Sequence, residues 1–144
     1  MRAVGDISTQ VRQRRPDGLN KAGKPYRVLV VDDSSTMRRI VIQHLKSEAY
    51  DICAEATTGQ EAIDRFKELS PDVVTLDINM PVMDGFAALT AIMEYDKLAR
   101  VVMLTSEGEK TAVLQAIGAG AKGYVVKPPV RVKLCEAVKK ALGG

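Results

Sequence analysis

Four short apolar runs in this chain each end in residues able to do chemistry, and their arrangement allows few folds. Val28 to Val31 leads into Asp32 and Asp33, Val73 to Leu76 into Asp77, Val101 to Leu104 into Thr105 and Ser106, and Tyr124 to Val126 into Lys127 and Pro128. Runs of β-branched and aliphatic residues separated by segments of helical period predict strands of a parallel sheet buried on both faces. In such a sheet every strand's C-terminal end lies on the same rim, where ligands bind. Asp32, Asp33, Asp77, Thr105 and Lys127 are therefore expected to converge on one pocket. Three carboxylates, a hydroxyl and an ammonium point to a divalent-cation and phosphoryl site.

The intervening segments fit this alternation. Ser34 or Ser35 can cap a first helix whose positions Met37, Ile40, Val41, His44 and Leu45 follow helical spacing. Ile52 to Ala56 reads as a short second strand, and Thr58 with Glu61 matches a capping box ahead of Ala62, Ile63 and Phe66. The loop Ile78 to Gly85 holds Pro81 and Gly85, which stop the third strand. A third helix is expected to turn Phe86, Leu89 and Met93 inward, and a fourth Val113, Ala116 and Ile117 before Gly118 and Gly120. A fifth presents Leu134, Ala137, Val138, Ala141 and Leu142 to the core, with Arg131, Lys133, Lys139 and Lys140 outside. Five βα units joined by right-handed crossovers predict an α/β, doubly wound sheet. A dinucleotide site is disfavoured, because the turn after the first strand is Asp32-Asp33-Ser34-Ser35, whose carboxylates would repel a pyrophosphate.

Charge narrows the function classes. Residues 1–25 carry six Lys or Arg against two Asp, whereas the remainder balances fifteen basic against sixteen acidic residues. The basic excess thus sits in a tail and not in a stripe on the fold, which argues against nucleic-acid binding. No apolar stretch reaches membrane-span length and the N-terminus lacks a secretory core, so no membrane insertion and a cytoplasmic location are expected. Residues 1–25, without a periodic apolar face, read as a disordered basic arm or leader that contributes little to the core. Cys53 and Cys135 have no metal-binding spacing and read as buried reduced thiols. His44, the sole histidine, falls in the inward stripe of the first helix and reads as a packed or boundary residue rather than a phosphoryl donor.

One strand-end Asp is often only a turn or cap residue. Adjacent Asp32 and Asp33 with Asp77 on a neighbouring strand repel one another unless a cation sits among them, and oxygen ligands at that density suit Mg2+. Lys127 balances the charge and can hold a phosphoryl oxygen. A haloacid-dehalogenase-type phosphatase would also use a strand-end Asp, but it expects a second Asp where this chain has Asn79.

Taken as a set, Val28-Leu29-Val30-Val31-Asp32-Asp33-Ser34, Asp77-Ile78-Asn79-Met80-Pro81 with Asp84-Gly85, Thr105-Ser106, and Tyr124-Val125-Val126-Lys127-Pro128 resemble the receiver domains of two-component response regulators, in the stand-alone chemotaxis layout. The likeness spans residues 26–142, so the receiver domain is expected over 26–144, with residues 1–25 outside it. It implies a flavodoxin-like (CheY-like) fold of five helices and five parallel strands in the order 2-1-3-4-5. It also implies that Asp77 is the phosphoacceptor, and that Mg2+ (Mn2+ as the alternative) is held by Asp32, Asp33, Asp77 and the Asn79 backbone carbonyl. Thr105 is the implied switch hydroxyl, Lys127 the partner of the phosphoryl group, and Tyr124 the aromatic rotamer switch. Asn79 and Glu107 are the side chains implied to tune dephosphorylation, and the Lys127–Pro128 bond is expected to be cis. Pro129 departs from the pattern, standing where an aromatic or aliphatic residue is usual. The implied partners are a histidine kinase or phosphotransfer protein, a downstream output protein such as a flagellar motor component, and a phosphatase. The chain is expected to be a signalling phosphoacceptor and not an enzyme with a separate substrate. With seventeen residues after Lys127, no effector domain is expected. A phosphorelay intermediate, a stress-signalling regulator and a degenerate scaffold receiver are the alternatives.

Overall fold

The computed structural model describes residues 14–106 and 110–143. Five strands, β1 (Arg27–Val31), β2 (Asp51–Ala56), β3 (Val73–Asp77), β4 (Val101–Thr105) and β5 (Gly123–Val126), alternate with helices α1 (Ser35–Lys46), α2 (Gly59–Leu69), α3 (Gly85–Tyr95), α4 (Lys110–Gly118) and α5 (Arg131–Ala141). All pairings are parallel, in the order β2-β1-β3-β4-β5. The fold is thus the α/β doubly wound sheet expected from the sequence.

The period of two along each strand divides the core in two. Leu29, Leu76 and Met103 meet Phe66 of α2 and Leu89 and Ile92 of α3, with Val113 and Ala116 of α4. Val28, Val30, Val102 and Leu104 meet Val41 and Leu45 of α1 and Leu134 and Val138 of α5. Full burial of each of these side chains other than Ala116 contributes roughly 1.5–3 kcal/mol. The central strands β1, β3 and β4 are buried on both faces apart from the half-buried Arg27, whereas the outer strands β2 and β5 are partly exposed.

The helix starts follow their sequence signals. Ser34 accepts from the Met37 N–H at 3.2 Å, so Ser34 and not Ser35 is the cap. Thr58 accepts from the Glu61 N–H, and Glu61 reaches back to the Thr57 N–H at 2.7 Å. Two inward assignments are corrected: Phe86 and Ile117 are both exposed. The buried stripe of α3 instead runs through Ala88, Leu89 and Ile92, and that of α4 stops at Val113 and Ala116. Both thiols are free, with Cys135 buried and Cys53 half-buried.

The segment before β1 is not a free arm from residue 14 onward. The Gly18 N–H donates to the Glu48 carbonyl at 2.7 Å, and the Gly18 carbonyl accepts from Tyr26 N–H at 2.7 Å. Gly18 has to be glycine, because a Cβ there would lie 2.3 Å from the Glu48 carbonyl oxygen. Glu48 is buried at the end of α1, where it takes Arg14 at 2.8 Å, the Asp17 N–H at 2.9 Å and Arg131 of α5 at 3.5 Å. The Arg14 hydrogen bond holds its carboxyl below the usual range against the opposing effect of burial. Residues 14–25 therefore dock by main-chain and charge contacts, without an apolar face. Deleting residues 1–24 is expected to cost about 1–3 kcal/mol, because it strips hydrogen bonds from buried groups. A thermal melt unchanged by the deletion would contradict this docking.

Candidate functional site

The register of the sheet builds the site. Leu76 is paired with Val31 of β1 and Asp77 with Leu104 of β4, so Asp77 ends β3 between the β1 exit that carries Asp32 and Asp33 and the β4 exit at Thr105. Thr105 pairs with Val126, and the Lys127 N–H continues the ladder to the Thr105 carbonyl at 2.7 Å. Asp32, Asp33 and Asp77 each present an oxygen within 4.8 Å of the other two. The Lys127 ammonium lies 2.7 Å from Asp77 Oδ1 and 3.1 Å from Asp32 Oδ2. The convergence read from the four strand ends is therefore present in space.

Asp32, Asp77 and Thr105 are buried, while Asp33 is exposed at the pocket mouth. Asp77 Oδ1 is doubly engaged, accepting from Lys127 and from the Asn79 N–H at 3.0 Å. Asp77 Oδ2 is buried and has no hydrogen-bond partner. Asp32 Oδ1 accepts from the Ser34 N–H at 2.9 Å, and its buried Oδ2 makes no hydrogen bond of good geometry despite the nearby ammonium. Buried oxygens without partners are costly unless something else fills their lone pairs.

The electrostatics carry the same imbalance. Burial pushes the Asp77 carboxyl up to about 6, with the Lys127 hydrogen bond opposing and the Asp32 charge reinforcing the rise. Burial works against the Lys127 charge, but the Asp77 and Asp32 carboxylates beside it outweigh that and hold it above its ordinary value. One ammonium thus pairs with two of the three clustered carboxyl groups, Asp77 and Asp32, and each of these keeps a buried oxygen without a hydrogen bond. That donor set, all hard oxygens, fits a small divalent cation.

The remaining candidates are placed as follows. Thr105 Oγ1 contacts the Ser106 carbonyl at 3.2 Å. Tyr124 is half exposed on the edge strand β5, beside Met103. Asn79 is exposed two residues past Asp77, and Glu107 lies outside the described residues. The Lys127–Pro128 bond is cis, as expected. The residue reading missed Arg38, which donates to the Asp32 carbonyl at 2.8 Å and to Glu55 at 2.9 Å, bracing the β1–α1 turn from one helical turn beyond the cap. Its position four residues after Ser34 was the available signal.

Comparison with known proteins meets the same residues. Residues 28–139 match the response regulator receiver domain model. The chain is 42% identical to the chemotaxis protein CheY of Treponema pallidum over 134 residues, covering 92% of this chain and 93% of the relative. It is also 42% identical to CheY of Bacillus subtilis over 117 residues, covering 81% of this chain and 98% of the relative. Among solved structures, the Borrelia burgdorferi CheX–CheY–BeF3–Mg2+ complex superposes with a TM-score of 0.84 at 40% identity, covering 88% of this chain and 96% of that one. With strand order, strand-end residues and family match in agreement, the chain belongs to the response regulator receiver domain family.

Proposed function

We propose that this chain is a single-domain response regulator that takes a phosphoryl group from a histidine kinase, or from a phosphotransfer protein, onto Asp77. The observation that carries the reading is Asp77 itself: a buried carboxylate with one oxygen held by Lys127 and Asn79 and the other unpartnered. Asp32, Asp33, Asp77 and the Asn79 carbonyl would hold Mg2+, with Mn2+ the alternative, and the bound cation would neutralise phosphoryl oxygens. Asp77 Oδ2 attacks phosphorus in line, the P–O or P–N bond to the donor breaks, and the donor departs with the electron pair. Lys127 then pairs with a phosphoryl oxygen in place of the carboxylate charge it now faces. Water attack on phosphorus releases phosphate and restores Asp77, with Asn79 and Glu107 biasing its approach.

The new dianion draws the Thr105 hydroxyl inward, Tyr124 turns into the vacated space, and the surface of α4, β5 and α5 changes. The output is altered binding to another protein. Similarity to chemotaxis proteins supports a chemotaxis-like, cytoplasmic role with an output partner such as a flagellar motor component and a phosphatase to end the signal. Among the described residues no helix is long and apolar enough to cross a membrane.

The test uses acetyl phosphate as a small acyl phosphate. The wild type with Mg2+ should gain one phosphoryl group by intact mass, and chelator should prevent it. Asp33→Ala should weaken Mg2+ binding by about tenfold, the loss of one hard charged ligand. Labelling that survives chelation, together with an unchanged metal titration for Asp33→Ala, would overturn the proposal.

A further inference from the structure

The sole histidine sits on the helix opposite the lysine loop and reaches it. His44 Nε2 lies 3.1 Å from the carbonyl oxygen of Pro129, two residues past Lys127. A carbonyl only accepts, so the ring presents an Nε2–H to it. The ring is carried on a fixed support, since His44 belongs to α1 and its own carbonyl takes the Ser47 hydroxyl at 2.6 Å and the Cys135 thiol of α5 at 3.7 Å.

The loop itself has few ways to be held. Pro128 and Pro129 supply no N–H, so the run between β5 and α5 cannot donate at either position. On the strand side Lys127 is tied by its N–H to the Thr105 carbonyl, and on the helix side the Val130 carbonyl is spent on the Leu134 N–H of α5. Pro129 is buried between them, and its carbonyl takes the His44 ring. A ring nitrogen on α1 thus closes the one stretch of backbone that sets where the Lys127 ammonium meets Asp77 and Asp32.

We infer that His44 is a positioning residue for Lys127, acting through the Pro129 carbonyl, and not merely a packed member of the α1 stripe. The effect on phosphoryl uptake rests on the phosphoacceptor reading above; the effect on the Lys127 position does not. The hydrogen bond, and not the ring's bulk, is the acting element, so a donor of similar reach should replace it and an apolar side chain of similar size should not.

Two variants separate these, His44→Gln with a side-chain N–H and His44→Leu with none. In the metal-free protein, the NMR signals of the Lys127 side chain should move in His44→Leu and return close to wild-type positions in His44→Gln, while the two variants melt alike. With acetyl phosphate and Mg2+, His44→Leu should take up the phosphoryl group about tenfold more slowly at saturating donor, as expected for a displaced charge-neutralising group, with the half-saturating donor concentration unchanged. His44→Gln should recover most of that rate. Lys127 signals unmoved in His44→Leu, or moved equally in both variants, would overturn the inference. If the Lys127 signals follow this pattern but the wild type takes up no phosphoryl group, the positioning role stands and the phosphoacceptor reading fails.

Discussion

Asp77→Asn should stay folded, take up no phosphoryl group from acetyl phosphate, and melt higher than the wild type in metal-free buffer at neutral pH. The stability gain follows from the site's own imbalance. Folding raises the Asp77 carboxyl from 3.8 to about 6. For such a group the favourable contribution is complete below the unfolded value and is lost as pH rises through the folded one. Metal-free wild type should therefore lose stability between about pH 4 and pH 6 and remain depressed above. At about 1.4 kcal/mol per pH unit the penalty at neutral pH is roughly 1–3 kcal/mol. The neutral amide removes that penalty, so the melting advantage of Asp77→Asn should shrink as pH is lowered through the same window. Mg2+ should raise the wild-type melt more than that of the variant. An Asp77→Asn protein no more stable than wild type at neutral pH would show that the carboxylate is already compensated in the fold.

Gly85→Ala should cost about 3 kcal/mol, the upper end for forcing an extra carbon into a packed site. Gly85 begins α3 directly against the end of β3, where its N–H donates to the Ile78 carbonyl at 2.8 Å. A Cβ there would lie 2.0 Å from the Asp77 carbonyl oxygen and 2.7 Å from Ile78 Cα. Both are backbone atoms, so no side-chain rotation relieves the clash, and α3 has to draw back from the strand that carries Asp77. The denaturant midpoint should fall and phosphoryl uptake should slow together. Gly123→Ala is the control, because a Cβ at that β5 position meets nothing within 4 Å. Equal stability for the two variants would refute the close approach of β3 and α3.

The sheet and the convergence of its strand-end residues were legible because the central strands β1, β3 and β4, buried on both faces, leave largely apolar runs, and a parallel sheet puts every run's end on one rim; the run of β5 reads the same way although Tyr124 and Val126 lie exposed on the sheet edge. Phe86 and Ile117 were misplaced for a physical reason: spacing gives a helix's apolar arc, but not which part of it the sheet covers. On α4 the exposed side chains Leu114 and Ile117 extend the arc beyond what the sheet buries. The docking of residues 14–25 left no periodic trace, since it runs through Gly18, the main chain and the Arg14–Glu48 pair, 34 residues apart. The spacing puts His44 in the inward stripe of the first helix, but its reach to Pro129 crosses 85 residues of sequence and depends on how α1 and α5 lie together. Strand order came with the family resemblance and not from residue patterns.

Borohydride reads out directly whether Asp77 is where the phosphoryl group goes. An aspartyl phosphate is an acyl phosphate, so hydride displaces phosphate and reduces the carbonyl carbon to an alcohol, leaving homoserine where aspartate stood. Wild-type protein treated with acetyl phosphate and Mg2+, reduced, digested and sequenced by mass spectrometry should carry homoserine at position 77 and at no other aspartate, with none after chelation. Homoserine at Asp32 or Asp33, or its absence from position 77 in protein that has gained phosphoryl mass, would contradict it.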